Sequence, residues 1–248
     1  MADNEKVIEE EFEALKHVYF DSKFDFTSTG SGQAELNGDW RIHAQYLNYE
    51  PIHDIYKINV VIPSQDQASV PKAWETGKRI PPSYHHFKDG SLCLGAPLGV
   101  KKRFREHPTL TGFFQNCFLP YLYQFSYKEK YGILPFGELS HGGRGILEDY
   151  FKEFGLDNER AVVQLIRMLA AGSYRGHKKC PCGSGRRLRD CHAEVLFTLQ
   201  AVQTPDEFAR DLVLIEDEIY TSRNHLTQLK RSDKITFAVS QYSSRPKK

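Results

Sequence analysis

An α+β fold follows from three observations on this 248-residue chain. Apolar residues recur at helical spacing near the start, alternate strictly through the middle, and return to helical spacing across the second half. Alternation marks strands with one buried face, and short breaks between them favour antiparallel neighbours. The expected architecture is therefore a four-stranded antiparallel meander with flanking helices, followed by a helical region with a small zinc knuckle and a C-terminal helix. Four regions are expected: a main domain over 1–135, a helical extension over 136–174, the knuckle over 175–193, and a C-terminal helix with its tail over 194–248.

The elements can be taken in order. Ile8, Phe12, Leu15 and Tyr19 are spaced for an amphipathic helix lying on the core. Thr27–Gly32 reads as a turn. Trp40, Ile42, Ala44 and Tyr46 alternate with polar residues, as do Tyr56, Ile58, Val60 and Ile62 after a break at Pro51–Asp54. Val70–Gly77 supplies a further short strand, and Phe24–Phe26 an edge partner. Leu110, Phe113, Phe114, Cys117 and Tyr121 predict a core-facing helix that ends or kinks near Pro120, with Cys117 as a packing residue. Leu147, Tyr150, Phe151 and Phe154 predict a helix that Gly155 terminates; Asp157 is the expected N-cap of the next, which runs to about Gly172.

Thr204-Pro205-Asp206-Glu207 is a capping box with proline at the first helical position, so a helix starts there. Phe208, Leu212, Ile215, Ile219, Leu226 and Leu229 continue it, with Ser222 breaking the row. That stripe is read as self-packing ahead of a partner-binding seam. Gln241–Lys248 is expected to be loose.

Composition narrows the function classes. The formal charge is +1, so no global field draws the chain to nucleic acid or to an anionic membrane. No apolar run approaches the roughly 18 residues that a membrane span needs, and Met1–Glu11 is acidic and polar. A cytoplasmic protein without membrane partners is expected. Five cysteines, three of them within Cys180–Cys191, argue for metal and thiol chemistry in a reducing compartment over a disulfide framework.

Cys93 is the candidate nucleophile. It stands in the turn Asp89-Gly90-Ser91-Leu92-Cys93-Leu94-Gly95, just after Tyr84-His85-His86, an arrangement suited to a thiol that must be reached. The thiolate is the reactive form, and an unperturbed thiol of pKa about 8.5 is only a few per cent ionised near neutral pH. A shallow, exposed sulfur on an open Gly90–Gly99 loop is the expectation. Glu138 and His141, in the turn-rich Pro135–Gly143 stretch, form a second candidate pair able to deprotonate an attacking amine; capping of the next helix is their commoner role.

Cys180, Cys182, Cys191 and His192 place three thiols and an imidazole within thirteen residues, with Gly183 and Gly185 where the backbone must fold tightly. That is a tetrahedral zinc ligand set with no open position, so the zinc is read as structural. The stretch resembles the small zinc motif at the C-terminus of the SecA ATPase, including its basic interior Arg186-Arg187-Leu188-Arg189. The basic residues from Arg175 to Arg189 are expected either to compensate the thiolates or to dock an acidic partner. Phosphate in nucleic acid is the other docking partner open to them and the less favoured one, because no aromatics interleave with them for base stacking.

Across residues 1–130 the order of elements resembles the fold of ubiquitin-conjugating enzymes. Val61-Ile62-Pro63 followed by Val70-Pro71-Lys72-Ala73-Trp74-Glu75-Thr76 is similar to that family's passage from a proline-ended strand to the active-site loop. Tyr84-His85-His86-Phe87 and Gly90-Ser91-Leu92-Cys93-Leu94 are similar to the stretches before and around its catalytic cysteine. The resemblance implies that Cys93 carries a ubiquitin-like modifier as a thioester, received from an activating enzyme and passed to an amine on a protein substrate. The family's oxyanion-stabilising asparagine is replaced by Phe87, leaving His85 or His86 to donate that hydrogen bond. The tryptophan that usually follows the cysteine is replaced by the Pro97–Arg103 stretch, where Lys101, Lys102 and Arg103 either meet a partner or are solvated. A conjugating domain joined to a SecA-type zinc motif resembles bacterial proteins of ubiquitin-like conjugation or antiphage defence. Two other readings remain open at this point: a catalytically inactive scaffold of the same fold, and a cysteine hydrolase using His85, His86 or His141.

Overall fold

A computed structural model describes residues 2–19, 21–28, 33–63, 69–138, 140 and 142–222. It divides into two compact units, Met1–Leu139 and Ser140–Lys248. The class is α+β. Among the described residues no helix is long and apolar enough to cross a membrane.

In the first unit, helix α1 (Ala2–Val18) precedes strands β1 (Lys23–Ser28), β2 (Ala34–Ala44), β3 (Ile52–Ile62) and β4 (Lys72–Glu75). They form one sheet in the order β1-β2-β3-β4 with every neighbour antiparallel, which is the expected meander. The pairing reaches further than alternation suggested. Ala44 faces Ile52 and His43 faces His53, so the turn is 45–51, and the expected break at 51–54 is mostly strand. Thr27 and Ser28, expected in a turn, pair with Glu35 and Ala34. Residues 29–32 lie outside the described residues.

One face of the sheet buries Leu36, Trp40, Ile42, Tyr56, Ile58 and Val60. Against it pack Phe12 and Leu15 of α1 and a run of aromatics from a broken helix. Trp40 lies edge-on to Phe114 at 4.6 Å between centroids and stacks on Phe118 at 5.1 Å. The helix containing these rings differs from expectation in an informative way. It comprises α3 (Leu110–Phe113), a π-turn (Phe114–Phe118) and α4 (Leu119–Tyr131), and it ends at Gly132, in the left-handed region at φ 71°, well past Pro120. A proline at position 120 has no N–H for the carbonyl of Asn116 and its ring crowds that carbonyl. Widening the preceding turn relieves both problems, so the distortion falls before the proline and the helix continues. Cys117 is buried on this turn, as expected for a packing residue.

Helix α2 (Pro97–Glu106) was expected as open loop. Proline at its first turn is preset for helix initiation, and Leu98, Val100 and Phe104 bury one face. Lys101, Lys102 and Arg103 are therefore helical.

The second unit holds α5 (Gly142–Phe154), α6 (Glu159–Ala170), a short 3-10 turn (Leu188–Asp190), α7 (Ala193–Gln200) and a helix over 205–222, α8. Gly155 ends α5 with φ 60°. The N-cap of α6 is Asn158, not Asp157: its side chain accepts the Ala161 N–H, one residue later than expected. The capping box of α8 is formed, with the Thr204 N–H donating to Glu207 and the Glu207 N–H to the Thr204 hydroxyl. Phe208 and Ile215 of that helix are fully buried. Tyr150 of α5 and Gln203 both donate to the buried carboxylate of Asp211, at 2.9 and 3.0 Å. Leu226, Leu229 and 241–248 lie outside the described residues.

Candidate functional site

The approach to Cys93 is built by backbone pairing. After β4, the Glu75 carboxylate accepts the N–H groups of Gly77, Arg79 and Ile80, which fixes the bend leaving the sheet. Arg79 then bridges Asp54 and Glu129 and lies 4.7 Å over the Tyr56 ring. Burial opposes ionisation of Asp54, but hydrogen bonds from Arg79 and Ser126 outweigh it and hold its carboxyl below the usual range.

The loop itself closes as a small antiparallel pair. Phe87 N–H donates to Ser91, Leu92 N–H to Ala73 of β4, and Cys93 N–H to His85 at 2.7 Å. Asp89 ties the tip: it accepts from the Ser91 hydroxyl, the Ser91 N–H and Lys72, and these bonds lower its carboxyl to about 2. His85 takes φ 44°, a left-handed conformation that costs a residue with a Cβ about 1 kcal/mol or more. Its carbonyl holds that bend in place by accepting from both Cys93 and the Tyr121 hydroxyl.

Cys93 is partly buried and forms part of the wall of a cleft of about 330 Å³. The expected shallow, fully exposed sulfur is thus corrected: the thiol opens onto a concave, largely apolar surface. Tyr46, Tyr84, Leu94, Pro120, Tyr121 and Phe136 line it, and Arg103, Asn116 and Gln124 are among its polar groups. The thiol donates to the Gly95 carbonyl at 3.7 Å. Burial pushes its pKa above the ordinary thiol value, a backbone hydrogen bond at Gly95 pulling weakly the other way.

The two candidate histidines separate. His85 lines the cleft beside Cys93, whereas His86 does not; its Nδ1 pairs with the Tyr84 carbonyl at 2.8 Å. Glu138 is exposed and forms no part of the cleft wall, and His141 lies outside the described residues. The 135–138 segment does reach the cleft through Phe136. Gln124 secures it there, accepting the Phe136 N–H and donating to the Gly137 carbonyl.

Two polar residues of this cleft, Asn116 and Gln124, were not singled out from sequence, and Tyr121 was read only as a packing residue. Asn116 is aimed by the π-turn, which the proline four residues later signals, but no periodicity in the chain says that this turn faces Cys93. Arg103 was noted only as a surface charge. In the structure its guanidinium donates to the Leu94 carbonyl at 3.3 Å, one residue from the sulfur.

The second candidate centre is the cysteine cluster. The ligand atoms of Cys180, Cys182, Cys191 and His192 all lie within 4.8 Å of one another, close enough to hold one metal ion. Cys180 Sγ and Cys191 Sγ are each 3.2 Å from His192 Nδ1, and Cys182 Sγ is 3.5 Å from Cys191 Sγ. His192 Nε2 lies 3.1 Å from the Phe154 carbonyl, which sets the tautomer: Nε2 donates there, and the Nδ1 lone pair faces the cysteines. Gly183 and Gly185, at φ 84° and 74°, make the tight fold around the cluster. Burial works against ionising Cys182, yet hydrogen bonds from the Ser184 hydroxyl and backbone lower its thiol to about 6. A thiolate is thus favoured where a cation would sit.

No family model, no curated protein and no solved structure matches this chain.

Proposed function

We propose that this chain is a conjugating enzyme of the ubiquitin type, in which Cys93 carries the C-terminal acyl group of a ubiquitin-like modifier as a thioester. The reading rests on one observation above the others: a thiol held on a backbone-pinned loop at the wall of an open, mostly apolar cleft. In loading, the Cys93 sulfur attacks the carbonyl of an activating enzyme's thioester. The new C–S bond forms as the donor C–S bond breaks, and the donor thiolate takes up the proton that Cys93 loses. In discharge, an amine of a protein substrate attacks the same carbonyl; a C–N bond forms, and Cys93 leaves as thiolate and is reprotonated. A thiol whose ordinary pKa is raised is a poorer leaving group. That slows loss of the acyl group to water and suits a carrier. A hydrolase would instead need a thiolate–imidazolium pair, and the sulfur's hydrogen-bond partner is the Gly95 carbonyl.

Arg103, Asn116 and His85 are the groups positioned to stabilise the oxyanion, the role that Phe87 cannot fill. In the same reading the cysteine cluster holds zinc. Zn–S bonds of about 2.3 Å in a tetrahedron put sulfurs about 3.8 Å apart, near the 3.5 Å between Cys182 and Cys191. With four protein ligands and no open position this zinc is structural, and bacterial conjugation or antiphage defence is the proposed setting.

The test uses a synthetic glycyl-glycyl peptide thioester as donor. Wild type should gain one acyl group on Cys93 that is released by hydroxylamine or reductant, and Cys93→Ala should gain none. Failure of Cys93 to acylate, with unchanged behaviour of Cys93→Ala in cells, would support the inactive scaffold. Unaided cleavage of a modifier's C-terminal extension by the purified protein would support the hydrolase.

A further inference from the structure

A charge arrangement around the cysteine cluster is costly unless it binds something. Residues 176–180 run antiparallel to 186–189: Cys180 N–H donates to Arg186, Leu188 N–H to Lys178, and Arg189 N–H to Gly176. This register sets Lys179 directly opposite Arg187. Like charges across a strand pair repel and destabilise it. Lys178, Lys179, Arg186 and Arg187 are all exposed, and among the described residues no carboxylate lies within ion-pair distance of any of them. Asp190, the one acid nearby, faces Arg189 at 3.7 Å. A divalent ion with three thiolates carries one net negative charge, too little to balance the ribbon.

Beside the ribbon lies an aromatic pair that the sequence reading did not recognise, because its members are far apart in the chain. Tyr174 and Phe197 of α7 have centroids 4.9 Å apart and remain 38% and 51% exposed. Tyr174 folds back over Gly176, where a Cβ would fall 2.6 Å from the Tyr174 hydroxyl, so a larger residue there would push the ring away from its present place. These two rings pack on one another beside a cationic ribbon and keep about a third to a half of their surface in water.

We propose that this ribbon and the Tyr174–Phe197 pair together bind single-stranded nucleic acid. Phosphates lie on Lys179 and Arg187, which the register sets on one face of the ribbon and whose arginine fork matches phosphate oxygens, and a base stacks on the aromatic pair. An acidic protein segment would be served by the cations alone and gives the rings no role. The proposal does not depend on Cys93.

The experiment is fluorescence anisotropy of labelled twelve-residue oligo-U and oligo-dT with the full-length, metal-loaded chain at 50 and 200 mM salt. If two phosphates are neutralised by Lys179 and Arg187, a slope of about −0.7 per phosphate weakens binding about sevenfold between these salts. Lys179→Glu with Arg187→Glu should lower affinity at least tenfold and flatten the salt slope. Tyr174→Ala should lower affinity about fivefold or more with the slope unchanged. Bound metal is measured for every variant, and Lys179→Gln with Arg187→Gln replaces the charge reversal if that loses its ion. No binding at 50 mM salt, or binding that ignores both substitutions, overturns the proposal. So does displacement of the oligonucleotide by poly-glutamate at equal charge when Tyr174→Ala is silent, which would assign the ribbon to an acidic protein.

Discussion

Cys93 stands alone among aromatic and aliphatic walls, whereas Cys180, Cys182 and Cys191 crowd within 4.8 Å of one another and of His192. Burial dominates at the first site and pushes the thiol up. At the second, hydrogen bonds aimed at Cys182 bring it down to about 6. The same element is thereby suited to two tasks: a neutral thiol that forms a covalent bond only when a partner brings an activated carbonyl, and a cluster in which Cys182 is a ready thiolate while burial pushes the neighbouring Cys180 thiol up to about 12. What a cysteine does is set by what desolvates it and what donates to it.

Stripping the proposed metal from the cluster should break the comparison most severely. Binding in small zinc units is worth on the order of 10 kcal/mol and is coupled to local folding, so chelation should release the backbone amides of 176–192 to fast hydrogen exchange. The paired amides of β2 and β3 should stay protected, since their core contains none of these ligands. Unchanged protection in the knuckle after chelation would show that the cluster is not a metal site.

Two packing changes sharpen the contrast between the units. Phe118→Ala removes a ring stacked on Trp40 and should cost about 3–5 kcal/mol in urea unfolding, with the loss confined to the unit containing Cys93. Tyr150→Phe leaves a buried carboxylate at Asp211 short of one donor and should cost about 1–3 kcal/mol, confined to the other. A loss shared by both units in either variant would mean that they unfold as one.

A smaller effect concerns reactivity. In metal-loaded Cys117→Ala protein, alkylation of Cys93 by iodoacetamide should rise with pH through an inflection above the ordinary thiol range, because burial disfavours the thiolate. After chelation Cys182, whose thiol is lowered to about 6, should react faster than Cys93 at neutral pH. An inflection near or below neutrality would instead identify an activated thiolate and favour the hydrolase.

The smallest effect is at the loop tip. The folded pKa of Asp89 is depressed to about 2 by bonds from Ser91 and Lys72, so its stabilisation is present above its unfolded value and is lost as pH falls through about 2. Between pH 4 and pH 2 the rate of Cys93 with 4,4′-dithiodipyridine, divided by that of Asp89→Asn at the same pH to cancel the falling thiolate fraction, should rise toward one as the loop loosens. Because the side chain is nearly half exposed, the stability change in Asp89→Asn should stay below about 1 kcal/mol. A ratio that does not change across that window would separate Asp89 from control of the loop.

Much of the framework was legible because its signals are local. Alternation located β2 and β3, the Thr204–Glu207 box located α8, and the spacing of three thiols and an imidazole located the cluster. Misreadings fell where a long-range partner decides. Pro97 starts a helix because Leu98, Val100 and Phe104 find a core to cover; Pro120 leaves its helix running because the π-turn before it absorbs the missing hydrogen bond. Asn116 and Tyr121 reach Cys93 only through packing of that helix across the sheet.

The chain alone pointed to the α+β class, the meander, the nucleophile candidate and the Cys180, Cys182, Cys191 and His192 cluster, since each shows as a local pattern of spacing or alternation. Tertiary structure alone decided that Cys93 faces a cleft instead of open water, that His85 and not His86 shares it, and that Tyr174 meets Phe197 beside the cations. Those outcomes depend on which surfaces are brought together from distant parts of the chain, and desolvation, which sets the state of a thiol, exists only once they are.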